Sequence, residues 1–168
     1  MELVFPTIGM KEDVMAYRQE FLDAGAERIE GSGGLSKVTD YEGWIAEKVR
    51  AQSVAEDGWV RHTTYFAVVG GEIVGNVNIR HELNEELRFD GGHVGYAVRP
   101  TKRRRGYATQ MLGLALEKCR ELGIDRALVT CVKENVGSAK TILNNGGVLD
   151  SEFVDADGVV SQRYWVEV

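Results

Sequence analysis

Apolar positions recur along this chain with two spacings, and the switches between them predict its elements. Val14, Tyr17, Phe21 and Leu22 mark a helix over residues 11–24 that ends near Gly25, and Trp44, Ile45 and Val49 mark another over residues 41–49. The longest amphipathic stretch is residues 106–122, with Ala108, Met111, Leu112, Ala115, Leu116, Cys119 and Leu122 on one face and a stop at Gly123. Residues 135–145 form a further helix, closed by Gly146-Gly147. Shorter apolar runs predict strands. They are residues 3–7, where Pro6 marks a strand end or sheet edge, and residues 63–69 and 72–80, joined by a Gly70-Gly71 hairpin turn. Residues 93–98 (HVGYAV), closed by Arg99-Pro100, and 127–132 (ALVTCV) follow, then residues 148–154 and 159–166 around Asp157-Gly158. Residues 31–34 (GSGG) read as a flexible connection and 83–92 as a loop.

This order implies an α/β fold: a mixed, mostly antiparallel twisted sheet of about six or seven strands, flanked by about four helices. A parallel strand–helix–strand unit lies at its centre. At 168 residues, with no repeat, low-complexity tract or long linker, the chain is expected to be one domain.

Composition narrows the function classes. The chain is 43% hydrophobic and 27% charged with a net charge of −6, which argues against a general nucleic-acid or anionic-membrane binder. No run approaches the ~18 apolar residues of a membrane span, and no signal-peptide pattern opens the chain, so a reducing cytoplasm is the expected compartment. Cys119 and Cys131 are expected as buried free thiols rather than a disulfide or zinc pair, and no His, Cys, Asp or Glu set has metal-ligand spacing.

Against the acidic balance, Lys102, Arg103, Arg104 and Arg105 stand out, in the loop that turns from the 93–98 strand into the long helix. The first amides of that helix have no partner within it, and with the positive end of its dipole they form an anion site. Gly106 keeps side-chain bulk away from the backbone, and the arginines add permanent charge. The segment RRRGYA is read as a diphosphate cradle. It lacks the glycine–lysine signature of a P-loop and the G-x-G-x-x-G of a dinucleotide site.

Taken together, VGYAVRP, RRRGYA, ALVTCV and NVGSAKTILNNGG resemble the GNAT superfamily of acetyl-CoA-dependent N-acyltransferases, over roughly residues 60–165. The runs IRHELN, GGHVGY and ILNNGGVLDSE further resemble a bacterial group of that superfamily with no assigned substrate. The resemblance implies acetyl-CoA as cofactor, with the backbone of Ala97 and Val98 pairing the pantetheine arm as an added strand. It implies that the amides of Arg104, Arg105, Gly106, Tyr107 and Ala108 hold the pyrophosphate, with Arg103 at the loop entrance and Thr109 adding a hydroxyl. Asn135 and Ser138 would meet the far side of the cofactor.

The implied reaction is direct transfer of an acetyl group to a primary amine, on a small molecule or a peptide, in a ternary complex. Val98 N–H is the expected oxyanion donor. Many relatives carry a proton-donating tyrosine on the helix after the second crossover strand; here that position is Ile142. Replacement candidates are His93, an imidazole able to take the amine proton, and His81, with structural roles as the alternative for both. Tyr96 and Tyr107 are expected to pack rather than donate. Glu30, Ser32 and Arg80 are candidate substrate contacts, with Trp44 and residues 59–62 as lining. The missing tyrosine leaves open a second reading, a CoA-binding or sensing domain without turnover. A nucleic-acid module built on residues 102–105 is disfavoured by the acidic balance and the lack of adjoining aromatics. Such domains often pair through exchanged or abutting strands, so a homodimer is a candidate assembly.

Overall fold

The computed structural model describes residues 1–55 and 58–168. Among these described residues, seven strands and five α-helices form in the order β1 (Glu2–Val4), α1 (Lys11–Asp23), α2 (Tyr41–Ala51), β2 (His62–Val69), β3 (Glu72–Arg80), α3 (Glu85–Phe89), β4 (Val94–Val98), α4 (Tyr107–Glu121), β5 (Arg126–Val132), α5 (Val136–Asn144), β6 (Val148–Val154) and β7 (Val160–Glu167). Every predicted helix and strand is present to within a few residues at each end. The added helix is α3, within the stretch read as a loop. Asn84 caps it by accepting the Leu87 amide at 2.9 Å, and Glu85 and Glu86 occupy its first turn, where the dipole favours them.

The strands form two sheets rather than one, β1-β2-β3-β4 and β5-β7-β6, and the pairings within both are antiparallel. The crossover strands β4 and β5 therefore do not ladder with each other; they are the facing edges of the two sheets. What joins them is compact. His93 N–H donates to Leu128 O at 2.7 Å, and Leu128 N–H donates back to His93 Nδ1 at 2.9 Å. Gly91 N–H adds a bond to Thr130 Oγ1 at 3.1 Å. Gly92 is required there on two counts: its φ is +61°, and a Cβ would stand 2.3 Å from Leu128 O. The GGH of the sequence is thus a clasp at one end of a gap between sheets.

The first sheet is packed on both faces. Val77 and Ile79 of β3 join Met111, Leu112, Ala115 and Leu116 of α4 in one core. On the other face, Tyr17 and Phe21 of α1 pack with Trp44, Ile45 and Phe66. Cys119 and Cys131 are free and buried, as expected of small apolar residues in the α4/β5 core. Ile142, at the position where the resemblance implied a tyrosine, is fully buried and belongs to the same core.

A prediction follows for the clasp. His93→Ala leaves the buried Leu128 amide without an acceptor and should lower unfolding free energy by about 1–3 kcal/mol in a urea titration. An unchanged midpoint would show that the clasp contributes nothing.

Candidate functional site

Where β4 ends, the chain makes a single 3-10 turn at Pro100–Lys102 and enters α4. Two residues between adopt the left-handed region, Arg104 at φ +64° and Gly106 at +76°. Arg104 is the one non-glycine with positive φ among the described residues, so the chain concentrates backbone strain at this loop. A Cβ on Gly106 would meet nothing within 4 Å. The glycine answers a conformational need, and the space in front of it is open. Among the described residues, no protein group accepts from the amides of residues 104–109; the next amide, Gln110, bonds Gly106 O at 3.3 Å. Six adjacent donors at a helix start, two of them following left-handed residues, form an anion-binding concavity. The residues present fit a diphosphate.

The loop is held from outside. Glu20 of α1 accepts from Arg99 Nε at 2.6 Å and from the Thr101 amide at 2.8 Å, and Arg99 Nη1 reaches Ile73 O at 3.1 Å. Partial burial pushes the Glu20 carboxyl up, but these hydrogen bonds outweigh it and hold the group below its ordinary 4.5. The basic cluster divides its labour. Lys102 pairs with Glu72 at 2.6 Å, and Arg103 donates to Val98 O at 3.3 Å and lies over the Phe21 ring. Arg104 lines the cleft, whereas Arg105 is exposed outside it.

That cleft encloses about 710 Å³ between the loop after α1, the edge of β4, the cradle and the start of α5. Tyr107, Ala108 and Thr109 line it. The backbone edge corrects one expectation. The bonds flanking the β3–β4 ladder, Arg80 N to His93 O and Arg99 N to Val74 O, use odd-numbered residues of the β4 chain, and Ala97 O lies against Gly75. Gly95 and Ala97 therefore turn their backbone to β3, and the strand presents Tyr96 and Val98 to the cleft instead. Val98 N–H turns away from β3 towards the gap; Ala97 contributes only its surface.

Opposite, Asn135 caps α5 by accepting the Ser138 amide at 3.0 Å. Its carbonyl oxygen is thereby used, and Ser138 meets the gap through its hydroxyl, 2.7 Å from Tyr96 Oη. Burial pushes the Tyr96 phenol up to about 12. This pair was not foreseen: Tyr96 packs its ring against the core, as parity suggested, while its hydroxyl reaches the cleft.

The two histidines expected as bases stand elsewhere. His93 Nδ1 accepts from Leu128 N–H, so in the neutral ring the hydrogen sits on Nε2, and no lone pair remains to take a proton. Burial and then nearby arginines lower its pKa to about 4. It is a clasp, not a base. His81 pairs Nε2 with Thr63 Oγ1 at 2.8 Å at the end of β3 and lines none of the clefts described here; burial and then Arg61 lower its pKa. Glu30 pairs with Arg28 at 2.8 Å, is 58% exposed and lies between two clefts. Ser32 uses its hydroxyl on Ile29 O at 2.8 Å, and Trp44 Nε1 anchors Gly33 O at 2.9 Å. Both fix the glycine loop over the sheet.

Two further clefts continue the groove. One of about 580 Å³ lies between α3, β4 and β5, and shares Arg28, Glu30, Tyr96, Asn135 and Ser138 with the first. The other, about 690 Å³ under the loop of residues 27–37, shares Arg28, Trp59 and Arg80 with the second.

Two sheets parted between β4 and β5, with an amide cradle at the gap, fit the acyltransferase family that the sequence resembles. Residues 10–148 match the family described as acetyltransferase (GNAT) domain. The chain belongs to the GNAT acetyltransferase family. Among solved structures, it is similar to the microcin C7 self-immunity acetyltransferase MccE in complex with acetyl-CoA and AMP, at TM-score 0.72 and 15% identity over 99% of this chain and 91% of that one. It is also similar to RimL, a ribosomal L7/L12 alpha-N-protein acetyltransferase in complex with coenzyme A, at 0.68 and 16% over 99% and 93%. A spermidine N-acetyltransferase SpeG chimera from Vibrio cholerae and hSSAT aligns at 0.69 and 13% over 99% and 96%. At these identities the likeness is one of fold. No curated protein sequence matches the chain.

Glu20 supplies the prediction. A carboxyl with a lowered folded pKa contributes stability above its ordinary 4.5 that is lost as pH falls through the lowered value. Glu20→Gln should be less stable than the wild type at neutral pH and lose less on acidification, read from urea midpoints across that range. Parallel curves would remove Glu20 as the brace of the cradle.

Proposed function

We propose that the protein transfers an acetyl group from acetyl-CoA to a primary amine, directly, with both substrates in the groove together. The observation that carries this reading is the run of unpartnered amides at residues 104–109, of which all but Arg105 belong to residues lining an open cleft. When bound, acetyl-CoA supplies an activated thioester, so no covalent enzyme nucleophile is needed. The amides of Arg104, Arg105, Gly106, Tyr107, Ala108 and Thr109 would hold its pyrophosphate, and the exposed backbone of Tyr96 and Val98 its pantetheine arm. Val98 N–H, turned to the gap, would donate to the carbonyl oxygen as negative charge develops.

Proton movement needs a donor beside the leaving sulfur, and Ile142 cannot be one. The Ser138–Tyr96 pair takes that role in this reading. It stands in the wall common to the cofactor cleft and the next cleft, and a phenol pushed up to about 12 is protonated at neutral pH. Ser138 Oγ donates to the sulfur as Tyr96 Oη passes its proton to Ser138, and water carrying the proton released by the amine returns one to Tyr96. The amine loses its proton to water or to Glu30 as the nitrogen–carbon bond forms, so one proton leaves nitrogen and one reaches sulfur.

Calorimetric titration with acetyl-CoA tests the first half: saturable binding is expected for the wild type and loss of binding for a folded Gly106→Glu. Absence of wild-type binding would reject the reading. Thiol release against an amine panel tests the second half. Tyr96→Phe and Ser138→Ala should each lower kcat by about 10²-fold with acetyl-CoA affinity retained. Binding of acetyl-CoA with no amine-dependent release would instead favour a sensing domain without turnover.

A further inference from the structure

The face of β2 and β3 under the loop of residues 27–37 is polar where a covered sheet face is ordinarily apolar. The directly opposed pairs His62/Arg80, Thr64/Asn78 and Phe66/Asn76 stand on it, and its two asparagines, Thr64 and His62 are all buried. Most of these polar groups satisfy one another, as burial demands. Asn78 Nδ2 lies 2.9 Å from His62 Nδ1 and 3.0 Å from Thr64 Oγ1, and Asn76 binds Glu30 O at 2.7 Å and Tyr17 Oη.

Arg80 is the exception. Its Nη1 donates to the carbonyls of Gly91 and Gly92 at 2.9 and 3.3 Å, but its Nε is buried without an acceptor among the described residues. Beside it in the same cavity lies Lys48, an ammonium 3% exposed whose single ion-pair partner among the described residues is Glu47 at the rim. A Cβ on Gly33 would stand 2.5 Å from Lys48 Nζ, so the glycine loop closes directly over this charge. Lys37 lines the same cavity, and among the described residues Glu27 is the one acid in its lining. His62 adds no competing base: Nδ1 faces Asn78, leaving Nε2 as a donor.

We propose that this cavity binds an oxyanion, a carboxylate or phosphate, carried by the amine that accepts the acetyl group, with Arg80 and Lys48 as its partners. The proposal rests on the acetyltransferase reading of the adjoining cleft. Arg80 and Trp59 line both this cavity and the middle cleft, which in turn shares Tyr96 and Ser138 with the cofactor cleft. Four acids, Glu30, Glu86, Asp90 and Asp155, line the middle cleft against two arginines, Arg28 and Arg80, a balance that favours an ammonium, while cations outnumber acids in the far cavity. A molecule spanning both carries an amine and an anion together. A polyamine would leave the buried Arg80 Nε without an acceptor and bring more positive charge beside Lys48.

Calorimetric titrations of the full chain with glutarate, inorganic phosphate and uncharged glutaramide test this. Saturable binding of at least one anion is expected, at least tenfold tighter than the diamide and weakened at least tenfold in Lys48→Met; the tighter anion identifies the oxyanion. No saturable anion binding to the wild type would overturn the proposal, as would anion binding untouched in folded Lys48→Met or abolished by Gly106→Glu, which would place the ion in the phosphate cradle. The wild-type comparison of glutarate with glutaramide decides even if Lys48→Met does not fold. Acetyl-CoA binding is titrated separately, and its failure would refute the acyltransfer reading while leaving the anion result to stand alone.

Discussion

Six amides without acceptors at the head of α4 are the constraint around which this structure is arranged. Backbone donors facing a cleft are costly unless water or a ligand takes them, and a left-handed arginine beside a left-handed glycine adds conformational cost. Such a loop persists only when its surroundings hold it. Glu20, reaching from α1 to Arg99 and Thr101, does so on one side, and Asn145 ties the end of α5 to Thr109 O at 3.1 Å on the other. The strained loop is therefore braced from both helical neighbours, and the elements that brace it also wall the cleft.

The gap between the sheets serves the same end. A continuous β4–β5 ladder would satisfy the edge of β4 internally. Instead the ladder is replaced by the His93–Leu128 exchange at one end and by the Tyr96–Ser138 contact at the other. Between them the backbone of Tyr96 and Val98 is left facing a cleft. The alternation along β3 continues this division: Val77 and Ile79 feed the α4 core, while Asn76, Asn78 and Arg80 line the opposite, polar face.

Much of this was legible in the sequence because periodicity reports burial. The spacing through α4, the Gly70-Gly71 hairpin and the glycine-closed α5 all gave correct elements, and the RRRGYA loop was recognisable from where it sat between strand and helix. What escaped were features set by contacts distant in sequence. The split of the sheet depends on which strands meet, not on their individual patterns. His93 looked like a base because a sequence does not show that Leu128 N–H takes its lone pair. Tyr96 has core parity and a cleft-facing hydroxyl at once, and parity shows only the first. Two signals were present and unused: Asn84 followed by Glu85-Glu86 is a helix start, and polar residues at every second position of NVNIR mark a polar face on a buried strand.

The central claim is that the backbone amides of residues 104–109 grip the phosphates of the acyl carrier. Backbone amide NMR with coenzyme A measures this most directly. The account predicts that the resonances of these residues move and become protected from hydrogen exchange on saturation, ahead of those elsewhere in α4. Saturable coenzyme A binding that leaves these amides unshifted and unprotected would contradict it.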